Sequence, residues 1–373
     1  MILHVLPLEG LSEVYINSIR MLGKDERNVF VVSSTRSAVI KFHPVMMAVR
    51  RLIFLAEPKS SDKKKKQMTK EMQMLISKAD TVFWHTAFST NSRYILDFMS
   101  DTSVAAKSVW VQTEREFEKV KKCDQSLLNA MLHFRNVVFT SPLSQPRYQE
   151  ICPGHEYSAS VIDIPNTVVL GNEWLEIRKQ YQFGHSGLNA QIGFTPVFKN
   201  YLHIYNDVLP YLENRFHLCI VPYNMTNLKK LTAKDEKYIG DISKKIAGME
   251  DGVELSVLRF ERAPDSLSRF EMIQRMDCIC FPVNPPYGSD FLYLALLMGK
   301  YIFFEQKSYY DYFTEKGITV FMLDQIPDVT DDMLRTPIAS NCENEWLNSR
   351  LEFRYAADQW QPIIERFSGR AEQ

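Results

Sequence analysis

The chain has 373 residues, too many for one typical domain and enough for two α/β domains of about 150–200 residues each. Hydrophobic residues make up 45% and charged residues 24%, which excludes a disordered chain. A formal net charge of −1 gives no global reason to expect nucleic acid as a partner.

The opening MILHVLPLEG lacks a basic n-region, so Ile2–Leu6 reads as a first buried strand and not as a signal peptide. Leu11–Leu22 has helical periodicity ending at Gly23, and Asn28–Val32 is the next strand. This β-α-β start is the doubly wound pattern, but no G-x-G-x-x-G accompanies it, which argues against an NAD- or FAD-dependent enzyme. Ala38–Phe42 is a candidate short strand. Ser60 to Lys66 reads as a loop carrying the run Lys63-Lys64-Lys65-Lys66, with a helix following from Gln67. The run is either a solvated loop or an electrostatic contact with anionic lipid headgroups, a patch that Arg50, Arg51, Lys59 and Lys70 would enlarge. Asp80–His85 is a strand, Ala87–Met99 a helix, Val104–Val111 a strand, Thr113–His133 a long helix and Asn136–Thr140 a strand. Ser141-Pro142 follows as a helix N-cap with proline at the first helical position.

Pro165-Asn166 reads as the crossing between domains, giving domains over 1–165 and 166–345, and a C-terminal helix over 346–373 that could return to the first. The alternation restarts with a strand at Val168–Leu170 and a Gly171-Asn172 turn, then a long irregular segment to Pro196. Helix Val197–Leu212, strand His217–Val221, helix Ala233–Ala247, strand Glu254–Phe260 and helix Asp265–Arg275 follow. Next come an apolar strand from Cys278, a turn at Asn284–Ser289, an almost wholly apolar helix at Phe291–Met298 stopped by Gly299, and a strand at Tyr301–Phe304. Asp311–Lys316 is helical, Ile318–Leu323 a strand, and Glu343–Phe367 a final helical region.

The six cysteines are scattered, several of them in apolar runs, and read as reduced cytoplasmic thiols. Cys278-Ile279-Cys280 is expected to set its two thiols on opposite strand faces, leaving no metal pair or disulfide there. No apolar run approaches the ~20 residues that span a bilayer. The expectation is a cytoplasmic protein, with attachment to the inner face of the cell membrane left open by the lysine run.

Two positions point to chemistry. Tyr287-Gly288-Ser289-Asp290 falls at the start of a buried helix beyond a strand's carboxyl end, where free N–H groups and the positive dipole end suit a phosphate. His85 ends a strand, at the edge where open α/β sheets place ligands. Two doubly wound Rossmann-like domains facing a cleft, with a long C-terminal helix, describe the GT-B architecture of many glycosyltransferases.

The chain resembles the TDP-N-acetylfucosamine:lipid II transferases that extend enterobacterial common antigen, glycosyltransferase family 56. The resemblance rests on His4-Val5-Leu6, Phe83-Trp84-His85, Leu170-Gly171-Asn172, Val221-Pro222-Tyr223, Arg275-Met276-Asp277-Cys278 and the Gly-led helix from Gly288 to Lys300. A long insertion, Glu173–Pro196, departs from the family pattern.

The resemblance implies a nucleotide diphosphate sugar donor of TDP or UDP type. The acceptor would be a lipid-linked (polyprenyl) or other cell-envelope glycan, and the transfer inverting. The diphosphate would lie on the N–H groups of Gly288 to Asp290 and the Ser289 hydroxyl. Tyr287, Asn172, Tyr223 and Asn224 are further donor contacts or plain turn-formers, and Glu305 is a candidate partner of the ribose hydroxyls. His85, with Glu9 second, is the candidate general base, and Arg262 a candidate for neutralising the leaving diphosphate. No D-x-D loop or His/Asp cluster has metal spacing, so neither metal nor cofactor is expected. The competing expectations are a sugar-nucleotide epimerase or protein glycosyltransferase of the same fold, and a non-catalytic two-domain scaffold.

Overall fold

The computed structural model describes residues 1–7, 22–23, 25–33, 36–42, 44–55, 62–85, 98–112, 116, 125–163, 187–192, 208–212, 215–223, 258–262, 273–281, 290–350 and 353–368. The chain divides into two compact units, one of Met1–Val169 with Glu352–Gln373 and one of Leu170–Leu351.

In the first unit, β1 (Ile2–Pro7), β2 (Asn28–Ser33), β3 (Leu52–Phe54), β4 (Thr81–His85), β5 (Ser108–Gln112), β6 (Asn136–Phe139) and β7 (Ser158–Val161) form one sheet. Its order is β3-β2-β1-β4-β5-β6-β7 and every pairing is parallel. Parallel strands need crossovers that cover both faces, so their side chains are apolar in both directions. One face carries Leu3, Val5, Val31, Trp84, Trp110 and Val137, packed against Met72 and Ile76 of helix α2 (Asp62–Lys78), Met131 of α4 (Gln125–Leu132) and Tyr148 of α5 (Ser144–Ile151). The opposite face carries Ile2, Leu6, Phe30, Phe83 and Val111, under Val39 of α1 (Arg36–Phe42) and Trp360, Ile363, Ile364 and Phe367 of the C-terminal helix (Phe353–Ser368). Two polar ties fasten that last helix to this sheet. The Thr81 hydroxyl donates to the Phe367 carbonyl at 3.0 Å, and Arg366 donates to the hydroxyls of Ser158 and Ser160, both at 2.6 Å.

Between α2 and α4 lies α3 (Thr102–Ala106), where a strand is expected from Val104. The Asp101 carboxylate accepts from the Ser103 N–H and hydroxyl, a side-chain cap that starts a helical turn and delays the strand to Ser108. Ala38–Phe42 is likewise helical, since a short apolar run carries no decisive period. The lysine run is not a loop, because α2 starts at Asp62 and Lys63–Lys66 form its first turns. Lysine is a good helix former, and an acid at the N-terminus favours the dipole. Arg50 pairs with Glu26, and Arg51 donates to the Glu26 carbonyl at 3.0 Å.

The second unit repeats the plan with β8 (Asn189–Ile192), β9 (Leu218–Tyr223), β10 (Leu258–Arg262), β11 (Cys278–Phe281), β12 (Tyr301–Phe304) and β13 (Phe321–Met322). The order is β10-β9-β8-β11-β12-β13, again all parallel. The central strand β8 lies inside the segment read above as an irregular insertion. Its sequence, Asn-Ala-Gln-Ile, has a fully buried Gln191 and no apolar run, so hydrophobicity does not announce it. The strand expected over Ile318–Leu323 is confined to Phe321–Met322, and residues 168–170 and 254–257 lie outside those described.

Cys278 and Cys280 point to the same face, not to opposite ones, and both join the core with Ala190, Cys219, Tyr301 and Phe303. Two residues apart is one full period of a strand. Cys219 and Cys278 both pair in register with Ala190, from either side. Two strand spacings, about 9.5 Å, separate their backbones, beyond disulfide reach.

Helix α6 (Asp290–Leu297) is buried throughout from Leu292, and Gly299 caps it at φ 70° with its carbonyl accepting from the Ile338 N–H at 2.9 Å. Helices α7 (Lys307–Thr314) and α8 (Glu345–Ser349) pack beside it through Phe313 and Trp346, each in contact with the Tyr293 ring.

Candidate functional site

Each sheet runs outward in two directions from its middle. In the first unit the chain goes β1 to β2 to β3 one way and β4 to β7 the other, and in the second β8 to β10 and β11 to β13. The crevice beyond the carboxyl ends of the two central strands is where such sheets bind ligands, because the crossover loops there turn apart.

In the first unit the central strands are β1 and β4, and β4 ends on His85. The ring of His85 is buried, lying 5.2 Å from His4 and 5.6 Å from Trp360 between centroids. Its Nε2 lies 3.0 Å from Nδ1 of His4, and Nε2 of His4 lies 3.3 Å from Oδ1 of Asn28. The Asn28 amide donates through Nδ2 to the Leu22 carbonyl at 3.0 Å, which leaves Oδ1 as the acceptor facing His4. His4 stacks between Phe30 and Phe83 at 4.6 and 5.0 Å. Burial lowers the His4 imidazole to about 4, against the hydrogen bond to Asn28, which raises it. Burial and the neighbouring His4 hold His85 well below its usual range. Both rings are therefore neutral near pH 7, and a neutral imidazole is the form that can accept a proton. Glu9 lies outside the described residues.

In the second unit the central strands are β8 and β11, and β11 leads to the first turn of α6 through residues 282–289. Asp290 is the first residue of α6. Glu305 follows β12 and is exposed, and its N–H donates to the Phe281 carbonyl at 3.0 Å, holding the ends of β11 and β12 together. Tyr223 and Arg262 are the paired last residues of β9 and β10. Asn172, Asn224, Tyr287, Gly288 and Ser289 lie outside the described residues.

At the opposite, amino end of this sheet sits a buried amine. Lys300 donates to the Gln274 carbonyl at 3.2 Å, and burial lowers its ammonium to about 7, with Asp277 opposing the shift. That end faces away from the switch point, so the group is read as part of the scaffold.

Sequence reasoning singled out His85 and missed its partners. In the sequence His4 stands out only within the family-like opening strand, and Asn28 only as a strand residue. The available signal was polar side chains in otherwise apolar, doubly covered strands that the doubly wound order makes neighbours. Among the described residues no group of His, Cys, Asp and Glu could hold a metal ion, and no helix is long and apolar enough to cross a membrane.

No family model and no curated protein sequence matches the chain. Solved structures do. A glycosyltransferase from Rickettsia africae ESF-5 aligns at TM-score 0.60 and 12% identity, over 98% of this chain and 98% of that one. Anabaena Alr3699/HepE, in complex with UDP and glucose, aligns at 0.59 and 12%, over 98% and 99%. A Listeria monocytogenes protein assigned as a UDP-N-acetylglucosamine 2-epimerase aligns at 0.51 and 12%, over 98% and 96%. At such identity the similarity speaks for fold alone: the chain has the α/β fold, with two parallel sheets, of the GT-B glycosyltransferase structures that it matches.

Proposed function

We propose that the protein is a glycosyltransferase that moves a sugar from a nucleotide diphosphate donor of UDP or TDP type to a lipid-linked or other cell-envelope glycan, with inversion and without a metal. The observation that carries the reading is the strand order: the residues between β11 and α6 leave from the switch point of the second sheet, and His85 ends a central strand of the first. A helix N-terminus at a switch point suits a diphosphate, whose charge the free N–H groups and the dipole stabilise. In this reading Gly288, Ser289 and Asp290 hold the diphosphate through backbone N–H groups and the Ser289 hydroxyl. Asn172, Tyr223, Asn224 and Tyr287 line the donor, Glu305 accepts from the ribose hydroxyls, and Arg262 faces the leaving diphosphate. His85 accepts the acceptor's proton, with Glu9 as the alternative base. The first turns of α2, with Lys63, Lys64, Lys65 and Lys66, give an anionic membrane surface a point of contact. The similarity to family 56 is the ground for the lipid-linked acceptor.

Thermal shift or saturation-transfer NMR against UDP, TDP, GDP and CMP tests the reading. Binding of UDP or TDP is expected, and silence toward all four nucleotides would overturn it. The Listeria epimerase among the structural neighbours favours a second reading, a sugar-nucleotide epimerase. Mass spectrometry separates the two. A transferase adds the sugar's mass to an acceptor, whereas an epimerase returns a nucleotide sugar of unchanged mass.

A further inference from the structure

We propose that His4 and Asn28 are positioning residues that fix the tautomer of His85, leaving its Nδ1 as the ring's proton-accepting atom. The inference rests on the reading of His85 as the general base and extends it to two residues that touch no substrate.

The donors and acceptors are fixed from a backbone carbonyl inward. The Leu22 carbonyl can only accept, so the Asn28 group 3.0 Å from it is the amide NH₂, and Oδ1 faces His4. An amide oxygen can only accept, so Nε2 of His4, 3.3 Å away, carries the hydrogen. In a neutral imidazole the other nitrogen then accepts, so Nδ1 of His4 receives a hydrogen bond. The atom facing it at 3.0 Å is Nε2 of His85, which must therefore be the donor. His85 is left as the Nε2–H tautomer, with its lone pair on Nδ1. The chain of bonds crosses three adjacent strands, β4 to β1 to β2, and reverses nowhere. The alternative tautomer of His85 would set two lone pairs against each other inside a core where neither can turn to water. Stacking of His4 between Phe30 and Phe83 fixes the plane of the ring that carries the relay. A base poised in one tautomer accepts its proton without first reorganising the ring.

The side-chain nitrogens of the full-length, ligand-free protein can be read by ¹⁵N NMR at pH 7, with His85 assigned by its loss in His85→Gln. The expected spectrum places a protonated, pyrrole-type nitrogen at Nε2 and an unprotonated, pyridine-type nitrogen at Nδ1. His4→Phe keeps the stack but has no ring nitrogen, and should abolish this single-tautomer signature. His4→Gln can accept from His85 and donate to Asn28, and should restore it. A proton on Nδ1 in the wild-type protein overturns the proposal, and so does a His4→Phe spectrum identical to wild type at His85. The wild-type spectrum alone decides the tautomer if His4→Phe does not fold. The measurement uses no nucleotide, so silence in the nucleotide panel would sink the function and leave the relay standing, and the reverse outcome is equally legible.

Discussion

The guanidinium carbon of Arg350 lies 3.8 Å from the centroid of the Trp346 ring, one helical turn earlier in the chain. Its two terminal nitrogens fork to the hydroxyls of Tyr293 on α6 and Tyr312 on α7, at 3.0 and 3.1 Å. One buried cation thus ties α6, the helix that begins at Asp290, to α7 and α8. Arg350→Met removes both charge-assisted bonds and the ring contact and should destabilise the protein by about 2–4 kcal/mol. Arg350→Lys should recover only part of this, because a compact ammonium cannot fork between two hydroxyls while lying flat on an indole. Urea unfolding followed by tryptophan fluorescence reads both variants. An Arg350→Met change below about 1 kcal/mol would show that the cage is incidental.

Gly299 and Gly317 form a matched pair for testing a close approach. Both adopt left-handed backbone, φ 70° and 73°. A Cβ on Gly299 would meet the Ile338 N at 2.8 Å and Pro337 Cβ and Cys342 Sγ at 2.9 Å, whereas one on Gly317 would meet only Asn344 Nδ2 at 3.7 Å. Gly317→Ala should therefore lose about 1–2 kcal/mol, the left-handed penalty alone. Gly299→Ala adds a backbone clash and should lose about 1–3 kcal/mol more. Equal losses in the two variants would mean that the 337–342 segment moves aside freely.

The His4 relay predicts a direction for stability against pH. Its folded-state pKa, about 4, lies below the ordinary 6.5, so between these values the unfolded chain binds the proton and the folded protein does not. Stability is then full above pH 6.5 and falls as pH drops toward 4, by about 3 kcal/mol for His4 at 1.36 kcal/mol per unit. His85 is depressed by burial too and acts in the same direction. His4→Gln should flatten the slope, as read from urea midpoints between pH 7 and pH 4. A parallel pH profile for wild type and variant would show that His4 takes up its proton as readily in the fold as in the unfolded chain.

If His85 is the base, its removal should separate chemistry from donor binding. With whichever nucleotide sugar proves active, His85→Ala should lower kcat by roughly 10²–10⁴-fold. The thermal shift on adding the nucleotide should stay as in wild type. A variant with unchanged kcat would move the role to Glu9 or dismiss it.

The α/β class, two alternating halves and most strand cores from Ile2 to Phe304 were legible from residue order alone. Those features rest on runs of buried apolar residues and on local stops such as Gly299, which neighbours in sequence specify. The helix start at Asp290 and the strand end at His85 were legible too. Features with no local period arise from long-range packing. Strand β8 is central yet reads Asn-Ala-Gln-Ile, because its position between β9 and β11 confers the strand. Ala38–Phe42 is helical where a short apolar run carries no decisive period, and the Asp101 cap makes a helical turn of Thr102–Ala106. The pairing of His85 with His4, 81 residues apart, follows from β1 and β4 lying side by side at the switch point. Strand order is a property of long-range hydrogen bonding, and it alone turns two scattered histidines and an asparagine into one directed chain of bonds.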